Sequence, residues 1–359
     1  MTHRSTPPFS MDLWQRLQHE TRDILLYGMG NGADKLLTVM EERHIPVAGI
    51  FASDGFVRGH TFHGMRVQSY SEVCDKYPPD GCVVLLAFGS SRPEVLALFD
   101  TVAARYPLFV PDLPVCGSTL FDAAFYTEHK IEFDRARALL CDESSRTLFD
   151  EILACKYTGE YALFSHAVSE RDAWDYLAAH PITRMADLGA YNGDSAREAI
   201  TKAQMRFILC AEPDRRNFRK LSEWARTVQD CEIECHSVAI CDKCGEAAFD
   251  SSGNRNAGLC TGREGSTVAT DSLDGLLAGR AVDYIKFDVE GAEEMALRGA
   301  EQTIKAHTPA LRIALYHRPA DLFALPLQLT AISSKYDLFL TRLQGCPAWD
   351  IDLVALPRT

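Results

Sequence analysis

Residues 183–200 read TRMADLGAYNGDSAREAI. A short apolar run leads into a glycine-containing turn and then into a segment with helical spacing, so the stretch predicts strand, tight turn and helix. The turn opens on an acid, Asp187, followed by Gly189 and Gly193. Where glycines let a backbone approach a pyrophosphate, the ligand calls for N–H donors and not for another carboxylate. An acid at the strand end instead suits a ligand with a positive or hydroxyl-rich group.

Working outward, RFILCAEPD (206–214) predicts a second strand ending in Glu212, 19 residues beyond Gly193. That position suits a carboxylate accepting both hydroxyls of a ribose. A third strand is expected at IECHSVAI (233–240), followed by a hairpin turn, CDKCG, and the strand EAAFD. VDYIKFDVEGAEEMALRGAEQTIKA (282–306) predicts strand then helix, PALRIALYH (309–317) another strand, and KYDLFLTRL and WDIDLVALP an antiparallel pair at the sheet edge.

DLGAYNGDS, AEPDRRNFRKL, SLD (272–274), KFDVEGAEEMALRGA and LYHRPADLFALPLQL, in this order and spacing, strongly resemble the FkbM family of S-adenosylmethionine (SAM)-dependent methyltransferases. The resemblance covers roughly residues 157–359, and KFDVEGAE is its most diagnostic piece. It implies a Rossmann-like class I methyltransferase fold, a mostly parallel seven-stranded sheet with a terminal antiparallel strand, and SAM as cofactor. It further implies that Asp187, Gly189, Ala190, Asn192 and Gly193 form the loop around the methionine part of SAM. Glu212 and Pro213 would meet the ribose, Ser237, Val238 and Ala239 the adenine, and Asp288 the reacting end. The expected reaction is O-methylation of a carbohydrate or secondary-metabolite hydroxyl.

An oxygen acceptor must lose a proton, and the groups expected at the carboxyl edge of the sheet are Asp288, Glu290, Glu293 and His317. Asp288 is the first candidate base. His317 is the second, since the ordinary pKa of histidine suits a base at neutral pH. Structural readings stand beside these: Lys286 can pair with an acid, and Glu293 and Glu294 can face solvent on a first helical turn. A cation at Asp288 lacks a visible ligand set. Cys231, Cys235, Cys241 and Cys244 contain one C-x2-C arm, but a strand offset separates the first two by about 13 Å. The reading therefore places no metal. The turn-rich stretch 251–266, with Asn254, Arg255 and Asn256, could cover the acceptor as a lid, and solvent exposure explains it equally well.

The first third of the chain repeats the pattern. DILLYGMGNGADKLLTVMEERHIPVAGIFASD (23–54) is a βαβ unit in which Gly28, Gly30 and Ala33 fit G-x-G-x-x-G/A and Asp54 lies 21 residues beyond Ala33. Gly28, Gly30 and Asp54 are a candidate nucleotide site, against the plainer reading that the glycines only permit a tight turn. The segment 55–69, with His60 and His63, reads as a loop. Strands follow at 82–91 and 106–112, and helical spacing through Phe133, Ala136, Leu148 and Ile152 predicts a connector. The expected domains are a small Rossmann-like, nucleotide-binding-like α/β domain at 1–115, a mainly helical connector at 116–165 and a SAM-dependent methyltransferase domain at 166–359.

Composition bounds the partners. The chain has 359 residues, 47% hydrophobic, with 37 basic and 50 acidic residues and a net charge of -13. That balance gives no attraction toward nucleic acid or an anionic membrane. The longest apolar run, Cys82 to Phe88, is too short to span a bilayer, and the N-terminal segment lacks the apolar core of a signal peptide. Twelve scattered cysteines then read as reduced thiols of a cytoplasmic protein. The expected partner is a small-molecule or saccharide acceptor, with homo-oligomerisation left open. Two alternatives remain: a bifunctional enzyme using NAD(P) or a nucleotide sugar in the first domain, weakened by the lack of a Y-x-x-x-K pair, and a non-enzymatic SAM-binding assembly protein.

Overall fold

The protein is described by a computed structural model covering residues 11–57, 59, 61–249 and 266–358. The stretch 251–265, with Asn254, Arg255 and Asn256, lies outside the described residues, as does His60.

Both apolar βαβ patterns form doubly wound sheets. The first contains β1 (Asp23–Tyr27), β2 (Gly49–Ala52), β3 (Thr61–Phe62), β4 (Met65–Ser69), β5 (Cys82–Leu86) and β6 (Leu108–Phe109) in the order β3-β4-β2-β1-β5-β6. All pairings are parallel except β3 with β4. The segment expected to be a loop is thus partly a hairpin: Gly64, at φ 76°, and His63, at φ 46°, supply the left-handed turn it requires.

The second sheet contains β7 (Arg184–Leu188), β8 (Phe207–Ala211) and β9 (Glu232–His236). Between β9 and the rest of this sheet come β10 (Ala239–Ile240), β11 (Gly245–Phe249) and β12 (Ser266–Asp271), which form a separate three-stranded sheet. β13 (Tyr284–Phe287), β14 (Ala310–Ala314), β15 (Tyr336–Arg342) and β16 (Ile351–Pro357) complete seven strands in the order β15-β16-β14-β13-β7-β8-β9. β16 runs antiparallel to both neighbours. The final pair is therefore as expected, with its second strand inserted inside the sheet.

One expected strand breaks. The run 233–240 leaves the seven-stranded sheet after His236, because Ser237 is exposed while Ala239 and Ile240 bury themselves against the small sheet. β11 pairs with β12 instead of closing a hairpin on β10.

Helices between residues 123 and 164 join the sheets. The longest, Glu143–Thr158, starts where Asp142 accepts the N–H of Ser145 at 2.7 Å and stops at Gly159, whose φ of 63° ends the helix. Its Leu148, Ile152 and Cys155 lie one turn apart and are buried. One apolar cluster runs from Leu25 and Val84 of the first sheet through Phe133 and Phe149 to Leu188, Phe287 and Leu353 of the second.

Candidate functional site

In an open parallel sheet, ligands bind beyond the strand carboxyl ends where the strand order reverses. In the second sheet that point lies between β7 and β13. There Lys286 and Asp187 are register partners on adjacent strands, with Nζ 3.7 Å from Asp187 Oδ1 and 3.1 Å from Asp288 Oδ2. Burial works against the ammonium, but Asp288 and Asp187 hold its pKa above the ordinary lysine value. Burial also opposes ionisation of Asp288, yet Lys286 and His317 outweigh it and bring Asp288 down to about 2. For Asp187 burial wins over Lys286 and raises the carboxyl to about 6.

A cavity of about 350 Å³ opens at these strand ends. On one side stand Gly189, Glu212, Pro213, Val238, Ala239 and Ile240, and on the other Lys286, Asp288, Glu290 and Tyr316. Glu212 is 6% exposed, and its two oxygens take the N–H groups of Tyr191 and Asp214, each at 2.8 Å. Burial raises its pKa to about 7 against the effect of those two hydrogen bonds.

The structure revises part of the expected set. Asp187, Ala190, Asn192, Gly193, Ser237 and His317 are not on the cavity wall. Asp187 and Ala190 are fully buried beneath it. Asn192 turns back to Arg197, and a side chain on Gly193 would meet Trp224 at 2.6 Å. Gly189, at φ 82°, is required because a Cβ there would lie 1.8 Å from the carbonyl oxygen of Asp288. Both glycines thus serve close packing of the turn. Sequence reasoning missed Tyr191, Asn217 and Tyr316 on the wall, and it also missed a third face. Gly89, Ser90, Ser91 and Val115 arrive from the first sheet and its exit, opposite Pro347 and Trp349. Ser90 and Cys346 exchange both backbone hydrogen bonds, at 2.8 and 3.0 Å, which fixes that face in place.

His317 is fully buried, so it cannot touch an acceptor in the cavity. Its Nδ1 lies 2.9 Å from Glu293 Oε1, and its Nε2 lies 3.5 Å from Asp288 Oδ1 and 3.4 Å from Glu290 Oε2. Burial disfavours the imidazolium, but Glu293, Asp288 and Glu290 together raise its pKa to about 10. Burial raises Glu290 to about 7 despite the neighbouring histidine.

The first sheet has its own reversal point, between β1 and β5, and treats it differently. Gly28 and Gly30 adopt φ values of 114° and 116°, but the Phe88 ring fills the space over Gly28, where a Cβ would come within 2.4 Å of it. Asp54 accepts hydrogen bonds from the Ser71 N–H and hydroxyl at 2.9 and 2.6 Å. A second cavity, about 210 Å³, adjoins this turn at Asn31, Gly32 and Lys35. None of Gly28, Gly30 and Asp54 lines either cavity.

Residues 187–337 match the family model described as the methyltransferase FkbM domain. Among solved structures, methyltransferase FkbM from Methylobacillus flagellatus KT is similar over 98% of this chain and 95% of that one, with 21% identity and a TM-score of 0.73. The likeness in fold therefore takes in the first sheet as well, beyond the region whose motifs carry the resemblance. An rRNA methylase from Streptococcus thermophilus aligns with 52% of this chain and 95% of its own, at 11% identity and a TM-score of 0.36. Aeropyrum pernix fibrillarin in complex with natively bound S-adenosyl-L-methionine aligns with 51% and 76%, at 13% identity and 0.32. These last two are too distant to bear on function. None of the curated proteins matches the chain by sequence.

Proposed function

We propose, from the match of residues 187–337 to the methyltransferase FkbM domain model, that the protein is a SAM-dependent O-methyltransferase acting on a carbohydrate or similarly hydroxyl-rich acceptor. The observation that carries this reading is one cavity with Glu212 at one side and the carboxylates Asp288 and Glu290 at the other.

The residues fit the cofactor. Glu212 keeps lone pairs beyond those used by Tyr191 and Asp214, and these accept ribose hydroxyls. Val238, Ala239 and Ile240 give an apolar face for the adenine. Bound here, SAM supplies a methyl group made electrophilic by its sulfonium. The chain's remaining task is to hold an acceptor oxygen in line and to take its proton. Asp288 and Glu290 are the carboxylates that line the cavity just past β13, with side chains 30% and 23% exposed. Lys286 keeps Asp288 oriented, and His317 acts from behind as a positioning residue.

The acceptor half of the cavity supports a neutral polyol. Trp349 and Tyr316 offer aromatic faces, Ser90 and Ser91 hydroxyls, and Asp288, Glu290 and Asp350 hydrogen-bond acceptors that would repel an anion. In this reading the first domain (1–115) shapes acceptor specificity, the connector (116–165) joins it to the methyltransferase domain (166–359), and the enzyme works in the cytoplasm. Among the described residues no helix is long and apolar enough to cross a membrane. Incubation with methyl-labelled SAM and a panel of mono- and oligosaccharides tests the proposal. Label retained in a saccharide after mild alkali supports an ether product. Label found only in amines or alkali-labile esters contradicts it.

A further inference from the structure

Behind the cavity wall, the ionisable groups around His317 are incompletely satisfied. His317 is fully buried, and its ring nitrogens meet carboxylates on both sides, the shortest contact being 2.9 Å from Nδ1 to Glu293. Glu293 Oε1 takes the N–H groups of Val289 and Gly291, while its Oε2 is left buried and unpartnered. Glu290 Oε2 is likewise buried without a partner. Lys286 engages Oδ2 of Asp288, so that Oδ1 is the atom turned toward His317. Donor atoms of Asp288, Glu293 and His317 all lie within 4.8 Å of one another.

The separations point to what is missing. At 3.5 Å, the gap from His317 Nε2 to Asp288 Oδ1 is long for an N–H···O bond. Two donors bound to one ion at about 2.2 Å stand roughly 3.0 to 3.6 Å apart when the angle between them is near that of octahedral or tetrahedral coordination. We propose that His317, through one ring nitrogen, Asp288 and Glu293 form a binding site for one divalent cation. One imidazole with two carboxylates selects a cation that accepts both nitrogen and oxygen, such as Mn2+, over one bound by thiolates. The site stands on these side chains alone. Its use, to hold the acceptor hydroxyl beside Asp288 and favour loss of its proton, rests on the methyltransferase reading.

The test is titration of MnCl2 into the EDTA-treated full-length protein, followed by electron paramagnetic resonance and calorimetry. The expected result is one Mn2+ per chain, with 14N modulation from a coordinated imidazole in the wild type. His317→Gln should lose that modulation, and both it and Asp288→Asn should bind at least tenfold more weakly. The wild-type modulation keeps the test decisive even if a variant folds poorly. Absence of bound Mn2+ up to millimolar concentration, or bound Mn2+ without 14N modulation, overturns the site. A parallel titration with S-adenosylhomocysteine separates the two readings. Its binding without Mn2+ binding overturns the cation site alone, and Mn2+ binding without it supports the cation site while removing the methyltransferase reading.

Discussion

The chain contains two doubly wound sheets, each with a glycine-bearing turn after its first strand, and only one of the two turns meets an acid that lines a cavity. After β1, Phe88 packs over Gly28 and Asp54 is occupied by Ser71. After β7, Gly189 packs against the Asp288 carbonyl, and Glu212 from the next strand reaches the cavity wall. The glycines in both turns answer to backbone geometry. What distinguishes the crevices is what borders the space beyond the strand ends: in the first, the Phe88 ring over Gly28 beside a cavity of about 210 Å³ with Lys35 on its wall, and in the second, a cavity of about 350 Å³ flanked by carboxylates.

The sharpest way to break this comparison is to add one methyl group to each turn. Gly189→Ala combines a positive φ with a Cβ driven into backbone that has no room to yield. It should cost about 3 to 5 kcal/mol. Gly30→Ala meets nothing within 4 Å and bears only the backbone cost, about 1 to 2 kcal/mol. Urea denaturation of both variants checks the order, and equal losses would remove the packing explanation.

Replacing Glu212 with Gln should weaken S-adenosylhomocysteine about 10- to 100-fold, the range for a lost hydrogen bond to a charged group. Calorimetry of the variant checks it, with unchanged affinity counting against the ribose assignment. The pH dependence follows with a smaller effect. The ionised form of Glu212 is the better acceptor, and burial places its pKa at about 7. Affinity should therefore fall as pH drops through 7, by about tenfold one unit below it. Glu212→Gln should flatten that slope, which distinguishes Glu212 from other titrating groups. The smallest effect expected is none: NADH should give no saturable heat with the wild type or with Asp54→Ala.

Much of this architecture was legible in sequence because each strand–turn–helix unit carries its own apolar period and glycine punctuation. Glu212 and Asp288 were legible for the same reason, since a residue just past a strand end is placed by the strand. The break after His236 was less visible, because 233–240 remains apolar and extended while changing sheets. Ser90 meets the same cavity as Tyr316 and Trp349 although it lies more than 200 residues before them in the chain, and no local period encodes that meeting. From sequence alone His317 stands at the sheet edge. Its burial behind Asp288 and Glu290 depends on the helix Glu293–Gly299 bringing Glu293 up beneath it.

The central claim is that the crevice of the second sheet, and not that of the first, holds the cofactor. Calorimetric titration of S-adenosylhomocysteine into the wild type and Glu212→Ala, alongside NADH into the wild type, tests it most directly. The account predicts micromolar S-adenosylhomocysteine binding that Glu212→Ala abolishes, with no NADH binding. Saturable NADH binding together with silent S-adenosylhomocysteine titrations would contradict it and move the chemistry to the first sheet.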